Sequence, residues 1–160
     1  MNQSVVLTAP MKVMTPIIKV VGNFCNCRCL YCWYHNQIQS AFHVISNKLL
    51  HRFIRQYMDL FSGHLVFIWH GGEPLLAGIP FFQRIIDFQL RYLHRGQRIQ
   101  NHIQTNGILI NEDWAKFFKD HSFKVGVSLD GCRASHDLFR RDKSGNTTFD
   151  KVISGIQVLR

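Results

Sequence analysis

Residues 65–94 read LVFIWHGGEPLLAGIPFFQRIIDFQLRYLH. The first five, 65–69, form a short apolar run of the length and composition of a buried strand. The glycine-rich turn HGGEPLL comes next. Over 80–94 the apolar residues Phe82, Ile85, Ile86, Leu90 and Leu93 recur every three or four positions, which predicts a helix with those side chains inward. Pro80 suits a first helical turn, and Gly96 suits a place just past the end. Strand, turn and helix make one βα unit.

The rest of the chain repeats that order. A strand is expected over 17–21, then a cysteine-rich loop, then a helix over 46–61 with Leu49, Leu50, Phe53, Ile54, Tyr57, Met58 and Phe61 apolar and Ser46 as N-cap. A third strand over 99–104 leads through TNG to a short helix near Asn111, with Glu112 and Asp113 in its first turn and Trp114, Phe117 and Phe118 inward. A fourth strand over 124–129 leads through Asp130 and Gly131 into SHDLFRRDKSGN, read as a loop. A last helix from about Thr148 carries Phe149, Val152, Ile153, Ile156 and Leu159. The order βαβαβαβα implies an α/β fold with a parallel sheet and covering helices. About four βα units make an open sheet or an arc of a barrel.

Composition narrows the class. The chain has 160 residues, enough for one domain with a core, and 46% apolar content. It holds no internal repeat and no apolar run near the roughly 18 residues of a membrane helix. The start, MNQSVVLTAP, lacks the pattern of a signal peptide, so a cytoplasmic protein is expected. Lys and Arg exceed Asp and Glu by nine. Arg52, Arg55, Arg84, Arg91, Arg95 and Arg98 are scattered on helix faces, which reads as solvated surface rather than a nucleic-acid stripe. Of five cysteines, four fall within 25–32, and Cys132 stands alone. Such clustering in a reducing compartment favours metal binding or redox chemistry over a disulfide framework.

The unusual residues all follow strand ends, the edge where parallel α/β folds gather ligands. Cys25, Cys29 and Cys32 have the spacing C-x3-C-x2-C. Three thiolates can hold three irons of a cubane and leave one iron open for a substrate. With His35 the same cysteines could instead form a closed zinc site. Cys27 reads as a bystander pointing away from the site. Gly71 and Gly72 allow backbone to approach a ligand, and Glu73 could accept hydrogen bonds from an ammonium group or merely cap a helix. Ser128 suits a ribose hydroxyl or a local backbone bond. Arg140 and Arg141 could pair with a carboxylate. Phe24, Tyr31, Trp33 and Tyr34 could shield a cluster or pack on adenine, or simply join the core.

CNCRCLYCWY, GGEPLL, QTNG and SLDG, in that order and spacing, resemble the radical S-adenosylmethionine enzymes, most closely the branch of anaerobic sulfatase-maturating enzymes and SPASM-domain peptide maturases. The stretch HDLFRRDKSGNTTFDKVISGIQVL also resembles the segment that follows SLDG there. The resemblance implies a partial (β/α) TIM-like barrel. It implies a four-iron, four-sulfur cluster on Cys25, Cys29 and Cys32, its open iron chelated by S-adenosylmethionine. Tyr31 would contact the nucleoside, Gly71, Gly72 and Glu73 the amino group, Ser128 the ribose and Arg140 the carboxylate. One-electron reduction of the sulfonium would give methionine and a 5′-deoxyadenosyl radical that abstracts hydrogen from a substrate carbon. In this branch the substrate is a protein or peptide, a sulfatase Cys or Ser oxidised to formylglycine; thioether cross-linking is a neighbouring chemistry. The electron donor would be a flavodoxin or ferredoxin.

The resemblance runs from about Pro16 to the end. It divides the chain into an extension over 1–14 and, over 15–160, the N-terminal part of a radical S-adenosylmethionine domain. Family members continue through further βα units and a cysteine-rich extension, so the chain reads as an N-terminal piece. The general base of the sulfatase-maturating members is expected beyond Arg160, which leaves no catalytic residue to assign here. Cys132 stands where proline is frequent after SLDG.

Overall fold

The computed structural model describes residues 14–34 and 41–160. Four strands form one parallel sheet: β1 (Ile17–Lys19), β2 (His64–His70), β3 (Arg98–Thr105) and β4 (Lys124–Val127), adjacent in chain order. Parallel neighbours need a crossover. Helices α1 (Asn47–Leu60), α2 (Ile79–Arg91) and α3 (Glu112–Asp120) supply the three crossovers. Helices α4 (Arg133–Phe139) and α5 (Phe149–Val158) follow β4, and a 3-10 turn (Pro74–Ala77) precedes α2. The four expected βα units are therefore present, with ends that move by a few residues.

Period-two alternation sorts the sheet into two faces. Leu65, Phe67 and Trp69 of β2 are fully buried, while His64, Val66, Ile68 and His70 point the other way. The register carries the sorting across the sheet, with Ile18 beside Trp69, Phe67 beside Asn101 and Ile103 beside Val125. On the covered face aromatic rings join strands to helices. Phe67 meets Tyr57 of α1 at 5.0 Å, and Trp69 meets Phe82 of α2 at 6.4 Å. Phe82 in turn meets Trp114 of α3 at 5.5 Å. Each such side chain stabilises the fold by roughly 1.5–3 kcal/mol through burial.

Helix starts follow their caps. Ser46 Oγ accepts from Leu49 N at 3.3 Å, and Asn111 Oδ1 accepts from Trp114 N at 3.0 Å. Helix α5 is capped differently. Asp137 of α4 accepts from both Thr148 N and Phe149 N at 3.0 Å, so its cap comes from another helix.

Three expectations need correction. Helix α2 stops at Arg91, and its inward stripe is Phe81, Phe82, Ile85, Ile86 and Gln89; Leu90 and Leu93 are exposed. The inward position one turn after Ile85 and Ile86 belongs to Gln89, a polar residue that apolar spacing passes over. Leu49, expected on the apolar side of α1, is also exposed. SHDLFRRDKSGN is not all loop, because α4 occupies its first part. That helix is seven residues long and buries His136, so it shows no apolar periodicity.

Gln89 is inward because it has a partner. Asn101 Nδ2 donates to Gln89 Oε1 at 2.8 Å, and Asn101 Oδ1 accepts from Trp69 Nε1 and Gln89 Nε2, each at 2.9 Å. Asn101→Ala leaves those buried donors without their acceptor. It is expected to cost about 1–3 kcal/mol in urea unfolding, whereas Gln100→Ala, on the opposite face, costs less than about 1 kcal/mol.

Candidate functional site

The cysteine loop leaves β1 and is clamped on two sides. On one side lies the glycine turn after β2, where Gly72 N donates to Gly22 O at 2.8 Å and Glu73 N donates to Phe24 O at 2.9 Å. On the other lies the segment after α4. Leu30 N donates to Phe139 O at 2.9 Å, Arg28 N to Arg141 O at 2.8 Å, and Lys143 N to Asn26 O at 3.2 Å. Gly72 is required by this closeness, since a Cβ there would sit 1.8 Å from the Phe24 carbonyl oxygen. The glycines thus admit the cysteine loop's own backbone, where the sequence suggested approach to a ligand.

The result is a cavity of about 510 Å³ at the C-terminal edge of the sheet, within the range of cofactor pockets. Cys25, Cys29, Cys32 and Tyr31 line it from the loop. Gly71 and Gly72 line it from the end of β2, Ser128 from the end of β4, and Arg140 from the end of α4. Of the residues singled out in the sequence as contacts, these eight converge, and Tyr34 lines the cavity with them. His35 lies outside the described residues.

Two side chains depart from expectation. Glu73 is fully buried and does not line the cavity. Its Oε1 accepts from Leu75 N at 3.0 Å and Thr105 Oγ1 at 2.8 Å, and its Oε2 accepts from Asn106 N at 2.7 Å. It braces the turn against the end of β3 instead of presenting a carboxylate to an ammonium group. Burial raises its pKa, and the Asn106, Leu75 and Thr105 donors oppose that rise. Cys27, read as pointing away, is buried and lines the same cavity. Its N–H donates to Cys25 Sγ at 3.3 Å, and its backbone bridges Asp142.

Other contributors escaped the motif reading. Asn106 Nδ2 donates to Cys25 Sγ at 3.6 Å and to Asn26 Oδ1 at 2.7 Å. Gln104 Nε2 donates to Ser128 Oγ at 3.0 Å. QTNG had signalled a functional strand end without dividing the roles inside it. Tyr31 donates its hydroxyl to Asp130 Oδ2 at 2.5 Å, and Arg140 Nε lies 2.9 Å from Asp130 Oδ1. The Arg140 N–H is poorly aligned for a hydrogen bond at that nitrogen, so the contact is an ion pair. Arg140 Nη1 lies 4.0 Å from Cys29 Sγ. Arg141, by contrast, donates to Gly145 O on the surface.

The thiols are electrostatically unlike one another. A hydrogen bond from the Cys27 thiol is the largest influence on Cys29 and lowers its pKa to about 7, with the Arg140 charge assisting against burial. Cys25 is lowered as well, first by the Cys27 thiol and further by the Cys27 N–H and the Asn106 amide. Cys27, which donates to both, is pushed far up and stays protonated.

Comparison with known proteins places this geometry. The family model of the radical SAM superfamily matches residues 19–160. The chain belongs to the radical SAM superfamily. That family uses a four-iron, four-sulfur cluster and S-adenosylmethionine. A cysteine-type anaerobic sulfatase-maturating enzyme of Clostridium perfringens (strain 13 / Type A) is 37% identical over 94% of this chain and 42% of its own length. A serine-type anaerobic sulfatase-maturating enzyme of Bacteroides thetaiotaomicron is 38% identical over 93% of this chain and 37% of its own. The solved structure of native anSMEcpe with bound AdoMet superimposes with a TM-score of 0.86 at 35% identity, over 91% of this chain and 40% of that chain. The four-stranded sheet is thus the partial TIM-like barrel that the resemblance implied. The chain spans about two fifths of the length of these relatives.

The donor set fits the family's cluster. Three thiols on one short loop face a common cavity, and donors stand beside two of the sulfurs. Among the described residues no group of three His, Cys, Asp or Glu is gathered around a point that one metal ion could occupy.

Two measurements follow on the iron-free protein. Alkylation of Cys29 should rise through a midpoint near pH 7, because its thiolate populates above that value. Cys27→Ala removes the main hydrogen bond and should move the midpoint upward. Gly72→Ala drives a Cβ into the Phe24 carbonyl and should displace the loop, read as faster alkylation of Cys25 and Cys29 at constant pH.

Proposed function

We propose that this chain forms the radical-generating site of a peptide-modifying enzyme of the anaerobic sulfatase-maturating kind. The observation that carries the reading is the convergence of Cys25, Cys29 and Cys32 with Gly71, Gly72, Ser128 and Arg140 around one cavity at the strand ends. In this reading the three cysteines hold the cluster, and S-adenosylmethionine occupies the rest of the cavity. Together they supply a 5′-deoxyadenosyl radical by one-electron cleavage of the sulfonium.

The chain's own residues bind and orient. The Gly71–Gly72 backbone meets the amino group, with Glu73 as the buried brace that holds that turn in place. Ser128, set by Gln104, meets the ribose; Tyr31 meets the nucleoside; Arg140 pairs with the carboxylate. Asn106 and Arg140 place positive hydrogens near the Cys25 and Cys29 sulfurs, the kind of contact that tunes a cluster.

The substrate is a protein or peptide, with a sulfatase Cys or Ser converted to formylglycine. Support comes from the relatives of both types and from a solved anSMEcpe structure with bound AdoMet and a Cp18Cys peptide, 34% identical with a TM-score of 0.86. A flavodoxin or ferredoxin delivers the electron. Among the described residues no helix is long and apolar enough to cross a membrane.

Anaerobic reconstitution with iron and sulfide should load about four irons per chain and give a brown protein. Cys29→Ala should lose the colour; retained colour with unchanged iron would sink the ligand assignment. With dithionite, S-adenosylmethionine should yield methionine and 5′-deoxyadenosine in equal amounts. A sulfatase peptide added to the full-length enzyme should gain an aldehyde, trapped by a hydrazide, and no aldehyde from either a Cys or a Ser peptide refutes the substrate reading.

A further inference from the structure

Asp130 holds two side chains of the cavity wall at once. Its Oδ2 takes the Tyr31 hydroxyl at 2.5 Å, and its Oδ1 lies 2.9 Å from Arg140 Nε. The same guanidinium sits over the Tyr31 ring, 5.3 Å from its centroid. Asp130 itself does not line the cavity. Its own backbone is fixed, since its N–H donates to Nδ1 of the fully buried His136 at 3.4 Å. Three segments meet here: the cysteine loop, which is remote in sequence, and the successive ends of β4 and α4.

An arginine is always charged, and it turns toward the nearest anion. Around Arg140 the described anions are the Asp130 carboxylate and, 4.0 Å from Nη1, the Cys29 sulfur. Without Asp130 the guanidinium is drawn onto Cys29, and Tyr31 loses the acceptor that fixes its hydroxyl. With Asp130 the Nε side is engaged behind the wall, and the terminal nitrogens stay at the cavity. A guanidinium held at one edge binds a second carboxylate at less conformational cost than a mobile one.

We propose that Asp130 is a positioning residue for S-adenosylmethionine, one carboxylate that fixes the Arg140 guanidinium and the Tyr31 ring together and thereby sets affinity for the cofactor's carboxylate end. This rests on the reading of Arg140 given under the proposed function. Asp130 touches no part of the cofactor in this scheme; it acts through its two neighbours.

The test is equilibrium dialysis of the anaerobically reconstituted protein against S-adenosylmethionine and against its decarboxylated form. The wild-type protein should prefer the carboxylated ligand. Asp130→Asn should bind S-adenosylmethionine about tenfold more weakly while its affinity for the decarboxylated form stays within about twofold, at wild-type iron content and visible spectrum. Arg140→Ala should shrink the preference to the part that chelation of the open iron by the carboxylate supplies, and Asp130→Asn should then add no further loss in the Arg140→Ala background. Equal weakening of both ligands by Asp130→Asn, or wild-type affinity for both, overturns the role of Asp130. If Arg140→Ala keeps the preference undiminished, the carboxylate assignment fails instead, and no binding by the wild-type protein refutes the proposed function. Should Asp130→Asn not load a cluster, Asp130→Glu decides. It retains the charge at a displaced position, so a smaller loss confined to the carboxylated ligand is expected, and unchanged affinities overturn the proposal.

Discussion

The site depends on one backbone contact. Gly72 lies so close under the Phe24 carbonyl that no side chain fits, and Gly22 and Phe24 accept hydrogen bonds from the turn after β2. This contact ties a long irregular loop to the edge of the sheet. Without it the Cys25 end of the loop would lose its tie to the sheet, and the distance from Asn106 to Cys25 would not be set; the Arg28–Arg141 and Leu30–Phe139 bonds hold Cys29 beside Arg140 from the other side. The strand ends supply fixed points; the Gly72 contact transfers that fixity to the loop.

The sheet separates stability from chemistry. Its helix-covered face holds Leu65, Phe67, Trp69 and Ile103 among the rings of α1, α2 and α3. The opposite face, at its C-terminal end, delivers His70 and Gln104 to the cavity. Alternation along β2 and β3 therefore decides both tasks, because a residue and its neighbour point to opposite sides. Thr105 and Asn106 at the end of β3 join the two, one bracing Glu73 and the other reaching Cys25.

Much of this was legible in the sequence, and the reason is physical. Strand and helix periods show wherever apolar residues fill the inward positions, as in β2, α1 and α3. Motifs at strand ends show because glycine, cysteine and short polar residues are unusual there. What stayed hidden was polar and inward. Gln89 and Asn101 satisfy one another and Trp69, and His136 fills the inward place in α4 with Thr148 beside its Nε2. Neither pairing leaves a mark in a pattern of apolar spacing. Asp130 was visible as a strand-end residue, but its link to Tyr31 and Arg140 spans three segments and needed the fold. The spacing of Cys27 carries no sign of its direction; its backbone bridge to Asp142 goes with a side chain buried at the cavity.

Glu73 shows why the GGE motif needs its third residue even though that residue never faces the cavity. A buried carboxylate is costly, and among the described residues the groups opposing the burial are neutral donors, Asn106 N, Leu75 N and the Thr105 hydroxyl. The arrangement asks for acceptors on both oxygens, two donors at Oε1 and one at Oε2. Glutamine has the same length, but its amide would aim an NH2 group at one of those donors. Aspartate has the acceptors, but its shorter stem cannot reach the Asn106 amide from the same backbone position. Glutamate alone matches the donor pattern at this reach, and the desolvation cost is the consequence of joining the turn that grips the cysteine loop to the strand that carries Asn106.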